Sequence, residues 1–347
     1  MRSQAEVYRR FGEIEAAGTP YERVAVALAG SDEALCALEA LPARRRRPPL
    51  VLAALHDLAL AGRAPALASA YAAGNGDEAA VAAVDTLLRM TDAVAATVAR
   101  RQVRTLDSGP CAALYPAVAE ATHRAGADAI GLVGVGASAG VLVDRVGISY
   151  GDGTALGDPS SPVRLSCRVV GGRPVPVRTV PEVVARIAVD PDPVDGTDAD
   201  DARWLRACVW PGRPDRLAEL EAELALVAAD PPLLLRGDPV DALPDAVARV
   251  PAGALPVVTT TWALSALSLE RRLRFLHRLD EAAAGRPVAW VSAEGVGVAP
   301  AIPTLGDRHA SGHSILGLAL LDGPTSHAEA VGRCWSRGRV LAWLAGS

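Results

Sequence analysis

The sequence predicts an α/β protein: a doubly wound, mostly parallel sheet of seven strands, preceded by a helical N-terminal domain. Three observations carry that prediction. Residues 1–125 space their apolar side chains as helices do. Residues 126–347 carry short apolar runs separated by helical or loop stretches. The first of those runs, from Ala129, opens into a glycine-rich turn. Strands that alternate with helices build parallel sheets, whose ligands sit outside the carboxyl ends of the strands.

In the helical domain, Ser3-x-x-Glu6 has the spacing of a capping box, with Val7, Phe11 and Ile14 on one face behind it. Leu50 to Gly62 is apolar almost all round, which predicts a buried helix ended by Gly62. His56 and Asp57 lie within it, readable as a satisfied core pair or as polar ligand contacts. Asp77 to Arg101 reads as one long alanine-rich helix with an arginine-heavy end, as the helix dipole prefers. Beyond Gly126, strands are predicted at Ala129–Ala137, Ala185–Asp190, Pro232–Asp238, Leu255–Trp262, Pro287–Ser292, Ile315–Asp322 and Arg339–Leu344. A Val/Gly/Pro-rich hairpin is inserted at about 161–178.

Composition narrows the function. All 35 basic residues are arginine, so lysine Schiff-base chemistry, pyridoxal phosphate attachment and a Walker-type lysine are excluded. A net charge of −5 with 4% aromatic residues speaks against nucleic acid as a partner, and the Arg44–Arg47 cluster before Pro48-Pro49 reads as a solvated linker. No apolar stretch is long enough to span a bilayer, and Arg2, Glu6, Arg9 and Arg10 replace a secretory core, so a cytoplasmic chain without a membrane partner is expected. Five scattered cysteines suggest neither disulfides nor zinc. His309-x-x-x-His313 has a metal-ligand spacing, but Ser311-Gly312 between the histidines argues for a loop, and no metal is expected.

The glycine turn, Gly134-Val-Gly136-Ala-Ser138-Ala-Gly140, has two readings. In the first, Ala139 to Arg145 begin a helix whose free amides and close-approach glycines cradle an anion or nucleotide. Acids at the ends of the second and third strands, Asp190 and Asp238, then face the ligand, as in a class I methyltransferase-like fold. In the second, Gly136-x-Ser138-x-Gly140 is the nucleophile elbow of a serine hydrolase, with Asp238 or Asp241 as acid and His309, His313 or His327 as base. That reading lacks the strands an elbow needs before it.

Several motifs resemble, over nearly the full length, an uncharacterised bacterial family, domain of unknown function 2332. They are Leu-Ala-Ala-Leu-His-Asp-Leu at 52–58, Arg-Thr-x-Asp-x-Gly at 104–109, Val-Gly-Ala-Ser-Ala-Gly at 135–140 with Asp144-Arg145, Trp204-Leu-Arg-Ala207, Gly237-Asp238 and Trp290-Val-Ser-Ala-Glu294. The resemblance implies a methyltransferase-like fold with a helical N-terminal part. This chain is a divergent member: Gly134 stands in place of a glutamate, Leu106 to Pro110 in place of Asn-Glu-x-Gly-Arg, and Val141-Leu-Val143 in place of Leu-Asn-Leu. The missing acid is the group that would hold the aminoacyl end of S-adenosylmethionine, and its loss makes the loop friendlier to anions.

The expected chemistry is therefore nucleophilic displacement on a small molecule of specialised metabolism: S-adenosylmethionine-type alkyl transfer, or ring closure expelling an anion such as sulfate, as in aziridine formation. Gly134, Gly136, Ser138, Gly140, Asp190 and Asp238 are the candidate cofactor contacts, and Asp107, Asp190 or Glu294 the candidate base. Arg145, Arg186, Arg236 and His56 are candidate substrate or anion contacts. A second reading makes the chain a catalytically silent partner subunit of a related enzyme, in a homodimer or heterodimer.

Overall fold

The computed structural model describes residues 3–346 apart from Ser138, Ala139 and Pro324. The chain opens with helices α1 (Gln4–Arg10), α2 (Pro20–Gly30), α3 (Asp32–Glu39), α4 (Pro48–Leu60), α5 (Pro65–Ala72), α6 (Gly76–Arg89) and α7 (Thr91–Arg100). Helix α8 (Cys111–Ala125) leads into strands β1 (Ala129–Val135), β2 (Gly147–Tyr150), β3 (Ala155–Gly157), β4 (Arg164–Val169) and β5 (Glu182–Asp190). Helices α9 (Ala199–Ala207) and α10 (Pro214–Ala229) follow. The chain then alternates through β6 (Leu233–Arg236), α11 (Leu243–Ala248), β7 (Leu255–Thr261), α12 (Leu269–Ala283) and β8 (Val288–Gly295). It closes with β9 (Ser314–Asp322), β10 (Thr325–Trp335) and β11 (Val340–Trp343).

These elements form two compact units: Met1–Thr105 with Asp198–Glu221, and Leu106–Thr197 with Ala222–Ser347. The division differs from one at residue 125 on two counts. Helix α8 lies against β8 and β9, and α9 returns to α4.

The first unit is helical. The capping box forms, with Ser3 Oγ accepting from the Glu6 amide and Glu6 from the Ser3 amide. Helix α4 is the apolar centre, with Leu50 to Leu55 and Leu58 buried, and it ends where Gly62 turns left-handed (φ +72°). The predicted single helix from Asp77 is broken at Met90, which leaves the helical region (φ −126°, ψ 29°) and separates α6 from α7. Trp204, Ala207 and Cys208 of the α9 region complete the core.

The second unit is a mixed α/β domain on an eleven-stranded, mostly parallel sheet of order β3-β2-β4-β11-β10-β9-β8-β7-β1-β5-β6. Its five parallel strands run β6-β5-β1-β7-β8, and the winding reverses between β1 and β7. Helices cover both faces of such strands, which explains why β1, β7 and β8 are buried almost throughout. Gly131 in β1 is needed for this layering, because a Cβ there would meet Val250 at 2.5 Å.

Four strands beyond the expected seven are present. The inserted segment is not a hairpin: β4 stands alone between β2 and β11, parallel to both, and the true hairpin is β2–β3. Strand β10, with its run of small and polar residues, lacks the apolar alternation that marks a strand. It is held by antiparallel pairing with β9 and β11. No single helix among the described residues is long and apolar enough to cross a membrane.

Candidate active site at the carboxyl edge of the sheet

The helix expected from Ala139 to Arg145 is absent among the described residues. Val141, Leu142 and Val143 are all buried, and the chain turns at Val143–Arg145 directly into β2 without forming a helix. Among the described residues of the turn, no helix start supplies an amide cradle. The glycines of the turn are engaged by the protein itself. A Cβ on Gly134 would meet Ala137 at 2.7 Å and Val141 at 2.9 Å; one on Gly140 would meet Leu106 at 3.0 Å. Gly136 has φ +71° and lies beside Ala263, its amide continuing the ladder to the Val189 carbonyl at 2.8 Å. Ser138 lies outside the described residues.

The switch point between β1 and β7 still places functional groups together, and the most telling is Glu294 at the end of β8. It is fully buried. One carboxyl oxygen, Oε1, accepts from the Leu264 amide at 3.1 Å, and the other has no hydrogen-bond partner. Burial pushes its pKa from 4.5 up to about 7, against the opposing pull of the Leu264, Ala263 and Ser265 amides and the Thr260 hydroxyl. Thr260 in turn accepts from Trp290 Nε1 at 3.1 Å. A carboxyl that titrates near neutrality at the carboxyl end of a parallel strand is equipped for general acid–base work.

Strain gathers at the same edge. The non-glycine residues with positive φ among the described residues are Trp262, Leu305, Ser336 and Arg337. Trp262 follows β7 and Ser336-Arg337 follow β10, while Leu305 lies in the connection from β8 to β9. Residues held in such conformations cost of order 1–3 kcal/mol each and concentrate at functional sites. Trp262 is pinned by its indole, which donates to Ser314 Oγ at 2.8 Å. Arg337 pairs with Asp107 at 3.0 Å, and the other Asp107 oxygen accepts the Gly109 amide. Nearby in sequence, Asp307 binds both His313 Nε2 (2.8 Å) and Arg333 (2.6 Å).

The remaining expected residues divide. Asp190, at the end of β5, is buried and accepts the Asp192 amide in a tight turn. Arg236, at the end of β6, is exposed and pairs with Asp192. Asp238 pairs with Arg271 and caps the following turn. Arg186 lies inside β5, away from the edge, clamped by both oxygens of Asp144 (2.9 and 2.7 Å) and by Asp230. Arg145 joins that network through Asp230 and the Leu226 carbonyl. Both arginines are committed to structure. His56 belongs to the helical unit. For the hydrolase reading, Asp238 and Asp241 bind Arg271 and Arg274, not a histidine, while His313 turns to Asp307. Among the described residues no three His, Cys, Asp or Glu side chains converge as a metal site.

Sequence reasoning missed Trp262, Arg337, the Asp307–His313–Arg333 group and Glu223, a buried carboxylate that accepts both the amide and the hydroxyl of Ser108 at 2.7 Å. Of these, His313 stood out in the sequence as a candidate base, and Arg337 left a trace in its Ser-Arg-Gly turn.

Fold and site together define a two-unit α/β protein with a buried, near-neutral carboxyl at a sheet switch point. The chain belongs to the family described as uncharacterized protein conserved in bacteria (DUF2332), whose model matches residues 5–343. No curated protein and no solved structure matches the chain.

Proposed function

We propose that the protein is a small-molecule enzyme, or enzyme subunit, of specialised metabolism that uses a methyltransferase-like sheet for nucleophilic displacement, with Glu294 as the base. The order β6-β5-β1-β7-β8 followed by antiparallel β9 supports the comparison with a methyltransferase sheet. The observation that carries the reading is the Glu294 carboxyl, buried with one oxygen unpartnered. Of the two displacement reactions, ring closure suits the site better, because Ala137 and Val141 occupy the space over Gly134 that a donor cofactor needs. In that reaction the Glu294 carboxylate takes a proton from a substrate ammonium. The freed nitrogen lone pair attacks the carbon bearing a sulfate ester, the C–O bond breaks, and sulfate departs with its electron pair. Arg236 and Arg337, at the carboxyl ends of β6 and β10, each keep a largely exposed side chain beside their Asp192 and Asp107 partners, which supports them as candidate contacts for such an anion.

The test is sulfate release from vicinal aminoalkyl sulfates, followed by ion chromatography, for the native chain and Glu294→Gln. Release with an apparent pKa near 7 in the native chain, abolished in the variant, is expected. A variant as active as the native chain defeats the role of Glu294, and tight calorimetric binding of S-adenosylmethionine defeats ring closure. The second reading, a catalytically silent partner, is favoured by the closed glycine turn. It predicts that the isolated chain releases no sulfate and that Glu294→Gln leaves the activity of a reconstituted complex intact.

A further inference from the structure

The helical unit contains a cavity of about 580 Å³, within the range that holds a small organic molecule. Its walls are apolar: Ala59, Ala68, Val209 and Leu217 among aliphatic side chains, Tyr71 and Trp210 among aromatic ones. Leu60 and Leu217 line it and are also 45% and 40% exposed, so apolar surface remains uncovered there. Trp210 is fixed by edge contacts to Phe11 at 5.6 Å and a tilted contact to Tyr21 at 5.9 Å, which makes that wall rigid.

Beyond the Tyr71 hydroxyl, which is buried without a hydrogen-bond partner, two polar features of the lining define what fits. Arg206 and Glu221 neutralise one another through paired hydrogen bonds of 2.6 and 2.8 Å, so that wall offers no net charge. His56 is the other. Its Nδ1 lies 3.1 Å from the Ala207 carbonyl, which can only accept, so Nδ1 carries the proton. Burial lowers the imidazole pKa to about 4, against the raising effect of the Ala207 and Val209 carbonyls. The ring is therefore neutral at physiological pH, and Nε2 presents a lone pair. Tyr71 packs edge-on against the imidazole at 5.2 Å and holds its orientation. Arg213 is exposed where it lines the cavity, which leaves its charge to water.

We propose that this cavity binds a neutral, largely apolar small molecule carrying one hydroxyl or N–H donor, the donor paired with Nε2 of His56. A carboxylate or phosphate is disfavoured, because a lone pair repels it, the Arg206 guanidinium is already paired with Glu221, and that of Arg213 is exposed to water. The cavity lies wholly in the helical unit, so its role does not depend on Glu294.

The probes are 2-naphthol and its charged counterpart 2-naphthoate, titrated into the full chain by calorimetry at pH 7.5. Saturable 1:1 binding of 2-naphthol is expected, at least tenfold tighter than that of 2-naphthoate. Ala68→Trp fills the cavity and is expected to abolish binding while the melting transition stays cooperative. His56→Leu is expected to weaken 2-naphthol about tenfold, the effect of one lost hydrogen bond. Absence of saturable 2-naphthol binding, tighter binding of 2-naphthoate, or native affinity in a folded Ala68→Trp chain overturns the proposal.

Discussion

Replacing Glu294 by glutamine changes how stability depends on pH, and by an amount the structure sets. The carboxyl is fully buried, and its pKa rises from 4.5 to about 7 on folding. A group whose folded pKa is raised contributes stability that is complete below its unfolded pKa and lost as pH climbs through the folded one. A tenfold change in proton affinity corresponds to about 1.4 kcal/mol, so the loss between pH 4.5 and pH 8 approaches about 3 kcal/mol. Glutamine keeps the oxygen that accepts the Leu264 amide and cannot ionise. Measured by urea denaturation, the stability of Glu294→Gln relative to the native chain therefore rises by about 3 kcal/mol across that interval. The comparison must be made as a difference between chains, because His56 opposes the trend. Its pKa falls on folding from 6.5 to about 4, so its contribution is present above pH 6.5 and lost as pH falls toward 4. The two effects run in opposite directions with pH and separate in variants. Parallel pH profiles for the native and Gln chains would refute the reasoning, and with it the case for Glu294 as a near-neutral base.

Three further outcomes follow from packing and charge. Arg186→Met strips a mostly buried guanidinium from Asp144 and Asp230 and is expected to destabilise the chain by about 3 kcal/mol in urea; a substrate-binding arginine would leave stability unchanged. Gly134→Ala forces a Cβ to within 2.7 Å of Ala137 and is expected to cost about 1–3 kcal/mol, read as a lowered urea midpoint. Of the five cysteines only Cys36 is exposed, so a colorimetric thiol reagent should titrate one fast group in the native chain and five after unfolding. Burial pushes Cys208 and Cys334 up to about 11 and slows them further.

The parallel strands were legible as short runs rich in aliphatic and β-branched residues between helical stretches, and each of β1, β5, β6, β7 and β8 falls within three residues of its expected bounds. Glu294 was legible as an acid at a strand end. Its near-neutral titration was not, because that depends on complete burial by segments distant in sequence, a tertiary property that a strand-end acid does not announce. The helix after the glycine turn failed for a definable reason: small residues before an apolar run satisfy the helix pattern locally, while burial of Val141, Leu142 and Val143 together is a tertiary demand. Arg186 looked like an anion contact because sequence cannot show that Asp144 and Asp230 already hold it.

The helical unit is assembled from two stretches of chain, and that has a consequence for biosynthesis. Its first seven helices have all been translated by Thr105, yet Trp204, Ala207 and Cys208, which fill its core, belong to the stretch that ends at Glu221. At about 5–20 residues per second, the ribosome needs on the order of ten seconds to deliver the intervening segment. Until that segment arrives the core lacks Trp204, Ala207 and Cys208, so a fragment cut at Thr105 is expected to express poorly.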